Sequence, residues 1–330
     1  MGGCYTVGMR LFVLLLLFFP AFQVAQDDPS PNFRVRSNFI KVPVTVMDER
    51  GKLINTLTKD DFALIDEGQQ RPIENFLLTQ APVNVALLLD VSGSLEEEID
   101  EIKQAALRFV SAFDRQDHFA VISFAERVEV LQDWTNRKKK IKKALKKLEP
   151  GLRTALWDAL LETTRETIAK VSGRRVIIVL TDGLDNQSLS NYEDAIHGLL
   201  RNDVSLYIVS RTRIIKPQVA KSNRVEFLNR VMKNVLEEDA NYVDIYFEEK
   251  ETAMEHLAES TGGRVLFPTR LVELRNSYAQ VARELKNQYL LTFEPPLESD
   301  RRFRRIEVVC KRDEGRRIYH RLQYAWTSPQ

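Results

Sequence analysis

Two short runs, Val85-Ala86-Leu87-Leu88-Leu89 and Val176-Ile177-Ile178-Val179-Leu180, are apolar at every position. A strand with one wet face alternates polar and apolar residues, because successive side chains point to opposite sides. A run without alternation belongs to a strand covered on both faces, as parallel strands between two helical layers are. Helical spacing follows each run: Ile99, Ile102, Ala106 and Phe109 form one stripe within Leu95 to Phe113, and Tyr192 to Arg201 reads as a second helix. Between and beyond them the same grammar repeats. Phe119 to Phe124 and Ser205 to Val209 read as strands, Val128 to Trp134 as an antiparallel neighbour, and Arg137 to Leu148 and Ala155 to Val171 as helices. Glu251 to Ser260 is a helix stopped by Gly262-Gly263, followed by a short strand at Val265 to Phe267 and a long helix from Leu271 to Gln288. The alternation predicts an α/β domain over residues 83–285, built on an open, doubly wound, mainly parallel sheet flanked by helices.

The flanks speak a different grammar. Residues 33–80 carry short alternating runs (Phe39, Val42, Val44, Val46; Phe62, Leu64, Ile65; Ile73 to Leu78) broken by Asp48-Glu49-Arg50-Gly51 and Glu67-Gly68. Residues 286–326 do the same, with Leu290 to Phe293, Phe303 to Lys311 and Ile318 to Trp326, the last two reading as a hairpin around Asp313-Glu314-Gly315. Each flank alone is too small to bury a core. The expectation is one small antiparallel β-sandwich made by the N- and C-terminal segments together. Residues 211–250 form an insertion longer than such connections need, and Phe227, Leu228, Val231 and Val235 give Val225 to Leu236 the spacing of an amphipathic helix.

At the N-terminus, Arg10 precedes the nine-residue apolar run Leu11 to Phe19, then Pro20, Ala21 and Ala25. This fits a secretory signal peptide over residues 1–25. The run falls short of the roughly 20 residues that cross a bilayer, and no later stretch is apolar enough to anchor the chain. A secreted or periplasmic location is therefore expected. Removing the leader removes Cys4 and leaves Cys310 alone, so neither an internal disulfide nor a cysteine-built zinc site is available. Cys310 lies in a strand-like run and reads as a small buried residue. A formal net charge of +1 gives no reason to expect nucleic acid as a partner.

The chemistry concentrates in Asp90-Val91-Ser92-Gly93-Ser94, between the first buried strand and the helix after it. In doubly wound sheets ligands sit at the carboxyl ends of the strands. A carboxylate and two hydroxyls at every second position of a turn can converge on one point, and such oxygens suit a hard cation such as Mg²⁺. Alone the pattern is weak, since serines also cap helices. Two further loops leave the same predicted edge: Thr154 opens a helix, and Asp182 follows the second apolar run.

These residues resemble the metal-ion-dependent adhesion site of von Willebrand factor A domains, and the likeness extends from Val83 to about Leu285. The resemblance implies that Ser92, Ser94 and Thr154 offer hydroxyls to a divalent cation (Mg²⁺, or Mn²⁺ or Ca²⁺) while Asp90 and Asp182 hold it largely through bound waters. It further implies a non-enzymatic adhesion module whose protein partner completes the metal shell with an acidic residue. The flanks, with Val42-Pro43-Val44-Thr45-Val46 and Leu57-Thr58-Lys59-Asp60-Asp61-Phe62, look like those of secreted bacterial relatives of the type described from Acidobacteria. Mutual repulsion of Asp90 and Asp182 should raise at least one of their pKa values.

Arg153 stands where the family commonly has a small residue, either competing with the metal or assisting capture of an acidic ligand. Asp185 reads as a loop or helix cap, with a supporting carboxylate as the alternative. The lysines of 138–147 form a solvated helix face around Ile141, Leu145 and Leu148, and the four histidines show no metal or triad spacing. Two other readings stay open: a structural subunit with a vestigial site, and Mg²⁺-dependent phosphoryl transfer on Asp90. Against the latter, Ser92 occupies the place of the second carboxylate that such chemistry uses.

Overall fold

The computed structural model describes residues 39–79, 81–92, 98–221, 242–312 and 315–327. The leader at 1–25, Ser94, and the candidate helix at 225–236 lie outside the described residues. Four strands come first: β1 (Ile40–Met47), β2 (Phe62–Asp66), β3 (Gln69–Arg71) and β4 (Asn75–Thr79). The α/β layer order then begins with β5 (Val83–Asp90), α1 (Ile99–Ser111), β6 (His118–Phe124), β7 (Val128–Thr135), α2 (Lys138–Leu145) and α3 (Leu156–Glu162). It continues through β8 (Arg174–Thr181), α4 (Tyr192–Arg201), β9 (Val204–Ser210), α5 (Thr212–Ala220), α6 (Tyr242–Ser260), β10 (Val265–Leu266) and α7 (Leu274–Lys286). The last strands are β11 (Gln288–Phe293), β12 (Phe303–Cys310), β13 (Arg317–His320) and β14 (Gln323–Ala325).

The central sheet has the order β10-β9-β8-β5-β6-β7 and is parallel except for β7, as the sequence predicts. β5 lies in its middle and shows why its run lacks polar residues. Val85, Leu87 and Leu89 enter one core with Phe109 of α1 and Tyr278 of α7, while Ala86 and Leu88 enter another with Ala159 of α3 and Leu199 of α4. Neither face meets water, so alternation has nothing to select. At the sheet's edge β10 presses close to β9: a Cβ on Gly263 would stand 1.8 Å from the Leu206 carbonyl oxygen, so only glycine fits.

One predicted helix is shorter than its pattern. Ala155 to Val171 gives α3 only to Glu162, then a π turn at Thr163–Thr167 and a 3₁₀ turn at Ile168–Lys170. Three buried threonines lie there, and the Thr164 hydroxyl donates to the Leu160 carbonyl at 2.7 Å, competing with the helix ladder.

The flanking strands make two antiparallel sheets, β13-β1-β11-β4 and β14-β12-β2-β3, each combining strands from both ends of the chain. They share one core: Val42, Val44, Leu64, Leu291, Phe293 and Ile306 are among its members, and Cys310 is buried and unpaired there. The expected hairpin of 303–311 with 318–326 is formed in part. The second stretch divides at Arg321-Leu322: β13 joins β1, and β14 returns to β12 with Phe303 opposite Ala325. At the switch, His320 ends β13 and bridges the two sheets, its Nε2 accepting from Val308 N–H of β12 at 3.2 Å and its Nδ1 hydrogen-bonding the Arg321 carbonyl at 2.8 Å. β4 and β11 pair directly, Thr79 opposite Gln288, so the α/β layer enters and leaves through neighbouring strands. Gln288 also ties the layers together, donating to Tyr207 Oη at 2.9 Å and Thr45 Oγ1 at 3.1 Å. Among the described residues no helix is long and apolar enough to cross a membrane.

Candidate metal centre

β5, β8 and β9 run parallel, so their C-terminal ends share one rim of the sheet. Asp90 is the last residue of β5, Asp182 the first after β8, and Arg211 the first after β9. Asp90 is completely buried. Its Oδ1 accepts from Ser92 N–H at 2.9 Å and from Ser92 Oγ at 2.5 Å, and its Oδ2 accepts from Thr181 Oγ1 at 2.7 Å. Both oxygens are therefore oriented by neighbours before any ligand arrives.

Thr154 reaches this point through backbone bonding between loops. Gly151 N–H donates to the Val91 carbonyl at 2.7 Å and Ala155 N–H to the Ala125 carbonyl at 3.0 Å, anchoring the segment on either side. The Thr154 carbonyl accepts from the N–H groups of Asn186 and Gln187, while its own N–H donates to Asn186 Oδ1 at 3.1 Å. Held this way, Thr154 Oγ1 donates to Ser92 Oγ at 2.7 Å. Asp90, Ser92 and Thr154 thus form one continuous hydrogen-bonded series, although Thr154 is 62 residues from Ser92.

Asp182 is brought to the same rim by the tight exit from β8. Gly183 has φ +72°, in the left-handed region, and a Cβ there would meet the Met254 thioether at 2.7 Å. The Asp182 Oδ1 accepts from Leu184 N–H at 3.1 Å, and its Oδ2 lies 3.5 Å from Arg211 Nη2. Arg211 Nη1 donates to Glu98 Oε2 at 2.9 Å. Asp90, Asp182 and Glu98 place three buried carboxylates around one buried guanidinium, an excess of two negative charges when all are ionised. Burial first, and the neighbouring Asp182 charge second, push the Asp90 carboxyl up to about 6, against the opposing pull of Arg211 and the Ser92 hydrogen bonds. The expected rise is present, but burial, more than repulsion, causes it.

Asp185 caps α3, accepting from Trp157 N–H at 3.1 Å and from Ser188 Oγ at 2.5 Å. The Arg153 guanidinium donates to Gln187 Oε1 at 2.6 Å, and its N–H to Glu126 Oε1 at 3.1 Å. Arg211, Glu98 and Thr181 are the contributors that sequence reasoning missed. Ser210-Arg211-Thr212 leaves a strand at the same rim as Asp90 and Asp182, which was the available signal.

Residues 84–258 match the family model for the von Willebrand factor type A domain, 175 of 330 positions. The chain belongs to this family. No curated protein matches it. Among solved structures it is similar to a von Willebrand factor type A protein from Catenulispora acidiphila, at 12% identity over 89% of this chain and 76% of that one, TM-score 0.47. It is also similar to proximal thread matrix protein 1 from the mussel byssus, at 18% identity over 67% of this chain and 51% of that one, TM-score 0.45. One crystal structure of the mussel protein has a zinc-occupied MIDAS motif, with 18% identity, 67% and 49% coverage and TM-score 0.45. The chain spans about half the length of the mussel protein.

Two outcomes follow from the electrostatics of this von Willebrand factor A rim. Asp90 has a folded pKa near 6 against 3.8 for the free side chain. Its contribution to stability is thus complete below pH 3.8 and lost as pH rises through 6. Asp90→Asn should therefore stabilise the metal-free protein at pH 7 and leave it unchanged near pH 3.5. Urea unfolding in EDTA at both pH values checks this. Arg211→Met removes the one cation from a group of buried carboxylates, and should cost about 3–5 kcal/mol in EDTA. Saturating Mg²⁺ should restore part of that loss by supplying positive charge, whereas the same deficit with and without Mg²⁺ would contradict the charge argument.

Proposed function

We propose that the protein is a metal-dependent binding module in which Asp90, Ser92, Ser94, Thr154 and Asp182 hold a divalent cation. The reading is supported above all by the convergence of Thr154 Oγ1, Ser92 Oγ and Asp90 Oδ1 within 2.7 Å of their successive neighbours. The donor set fits the ion: it consists of oxygens, which suit Mg²⁺, with Mn²⁺ or Ca²⁺ as alternatives. Ser92 and Thr154 supply neutral hydroxyls. Asp90 and Asp182 supply charge, and Thr181 and Arg211 orient those carboxylates. A divalent cation at this rim would supply a Lewis-acidic point for a carboxylate from a partner protein. Because most of the residues offered to it are neutral or already shared with Arg211, the protein would leave positive charge to attract that partner.

Binding is favoured over phosphoryl transfer by the residue two positions after Asp90. Ser92 stands where a second carboxylate would shuttle protons. We place the module outside the cytoplasm, on the strength of the apolar run after Arg10, among secreted bacterial relatives of the Acidobacteria type.

Titration calorimetry with Mg²⁺ or Mn²⁺ should give saturable heat for the native protein and little for Asp90→Ala or Thr154→Ala. Retention of a partner from native extracts should be lost in EDTA and in Ser94→Ala. Equal heats in all proteins would favour a vestigial site, and Mg²⁺-dependent phosphatase turnover that vanishes in Asp90→Asn would favour the enzyme.

A further inference from the structure

The opposite end of the sheet carries a cavity of different charge. β8 begins at Arg174 and the metal rim follows its last residue, so Arg175 and Asp182 are about 23 Å apart at roughly 3.3 Å per residue. Arg175 lines a cavity of about 640 Å³ shared with Lys41, Arg201, Arg302 and Arg321. That volume lies within the roughly 300–1,000 Å³ usual for small-molecule sites. Among the described residues lining it, Asp203 is the one carboxylate, and Arg321 already engages it. Five cations against one acid leave an excess of four positive charges.

Two of these cations are incomplete. Arg321 has a side chain only 3% exposed, and its Nε has no hydrogen-bond acceptor. Arg175 Nε is likewise buried without an acceptor. A buried charged donor left unpaired is unfavourable. Arg175 makes no side-chain hydrogen bond or ion pair among the described residues, so its guanidinium charge at the cavity is not neutralised by the chain. The remaining cations are held ready on separate elements: Arg201 ends α4 with its guanidinium 5.7 Å from the Phe303 ring centroid, and Arg302 precedes β12. None of Lys41, Arg201 and Arg302 has a carboxylate within ion-pair distance among the described residues.

The cavity also has an aromatic wall. Trp326 lines it, fixed by its own indole N–H, which donates to the Pro296 carbonyl at 2.9 Å. Phe39 lines it too and is 37% exposed. Guanidinium forks match tetrahedral oxyanions in geometry, and an aromatic face suits a ring.

We propose that this cavity binds a small phosphorylated ligand, its phosphate among Arg175, Arg302 and Arg321 and its apolar part against Trp326. The site is independent of the metal reading and requires no cation.

The test uses the full chain in EDTA, so that phosphate cannot report on a metal at the other rim, with ionic strength held constant by KCl. Inorganic pyrophosphate and phenyl phosphate serve as probes. Calorimetry should show saturable one-to-one binding of both, weakened at least tenfold in the double variant Arg201→Gln/Arg302→Gln. Those two side chains are exposed and neither has an ion-pair partner among the described residues, so the variant should melt close to where the native protein does. Phenyl phosphate should also change tryptophan fluorescence, and the change should disappear in Trp326→Phe. Absence of saturable binding, an affinity unchanged in the double variant, or a fluorescence change that persists in Trp326→Phe would each overturn the assignment.

Discussion

Asp90 is a carboxylate that the sheet buries completely at the end of its central strand, and the rim is organised around tolerating it. The flanking strands supply the means. Thr181 at the end of β8 donates to one oxygen, Ser92 to the other, and Arg211 after β9 brings positive charge within reach of Asp182 and Glu98. Even so the compensation is partial, and burial still lifts Asp90 to about 6. A fold that only had to be stable would place an apolar or amide side chain there. The proposed cation would offset this cost, because it favours the ionised carboxylate.

The architecture assembles this rim over long sequence distances. Three parallel strands end at one rim because each returns through a helix, and the backbone bonds of Gly151, Ala155, Asn186 and Gln187 fix Thr154 relative to the β5 and β8 loops. The α/β layer hangs from the paired strands β4 and β11, with Gln288 bridging to Tyr207 and Thr45. Negative charge gathers at the rim where the strands end. Positive charge gathers at the far end, around Arg175 and Arg321. One sheet thus separates two sites of opposite electrostatic character.

Much of this was legible in the residues. The unbroken apolar runs could only be doubly covered strands, so β5 and β8, and hence the rim carrying Asp90 and Asp182, followed from periodicity. Thr154 was recognisable from the motif that it completes. Arg211 was not, because a lone arginine after a strand has no periodicity, and its burial is decided by Glu98, 113 residues earlier. The start of α6 at Tyr242 was missed for a similar reason: Val243 and Phe247 are buried, but the charged residues around them hide the stripe. The division between β13 and β14 is accompanied by a bond from Val308 of one sheet to His320 of the other, a tertiary contact that alternation cannot encode.

The most direct measurement is the ionisation of Asp90 itself, followed by carbon NMR of its carboxyl with and without Mg²⁺. In EDTA the resonance should titrate near pH 6. With saturating Mg²⁺ it should remain that of a carboxylate to well below pH 5, because the cation favours the charged form. An Asp90 signal that titrates at the same pH in both conditions would contradict the account.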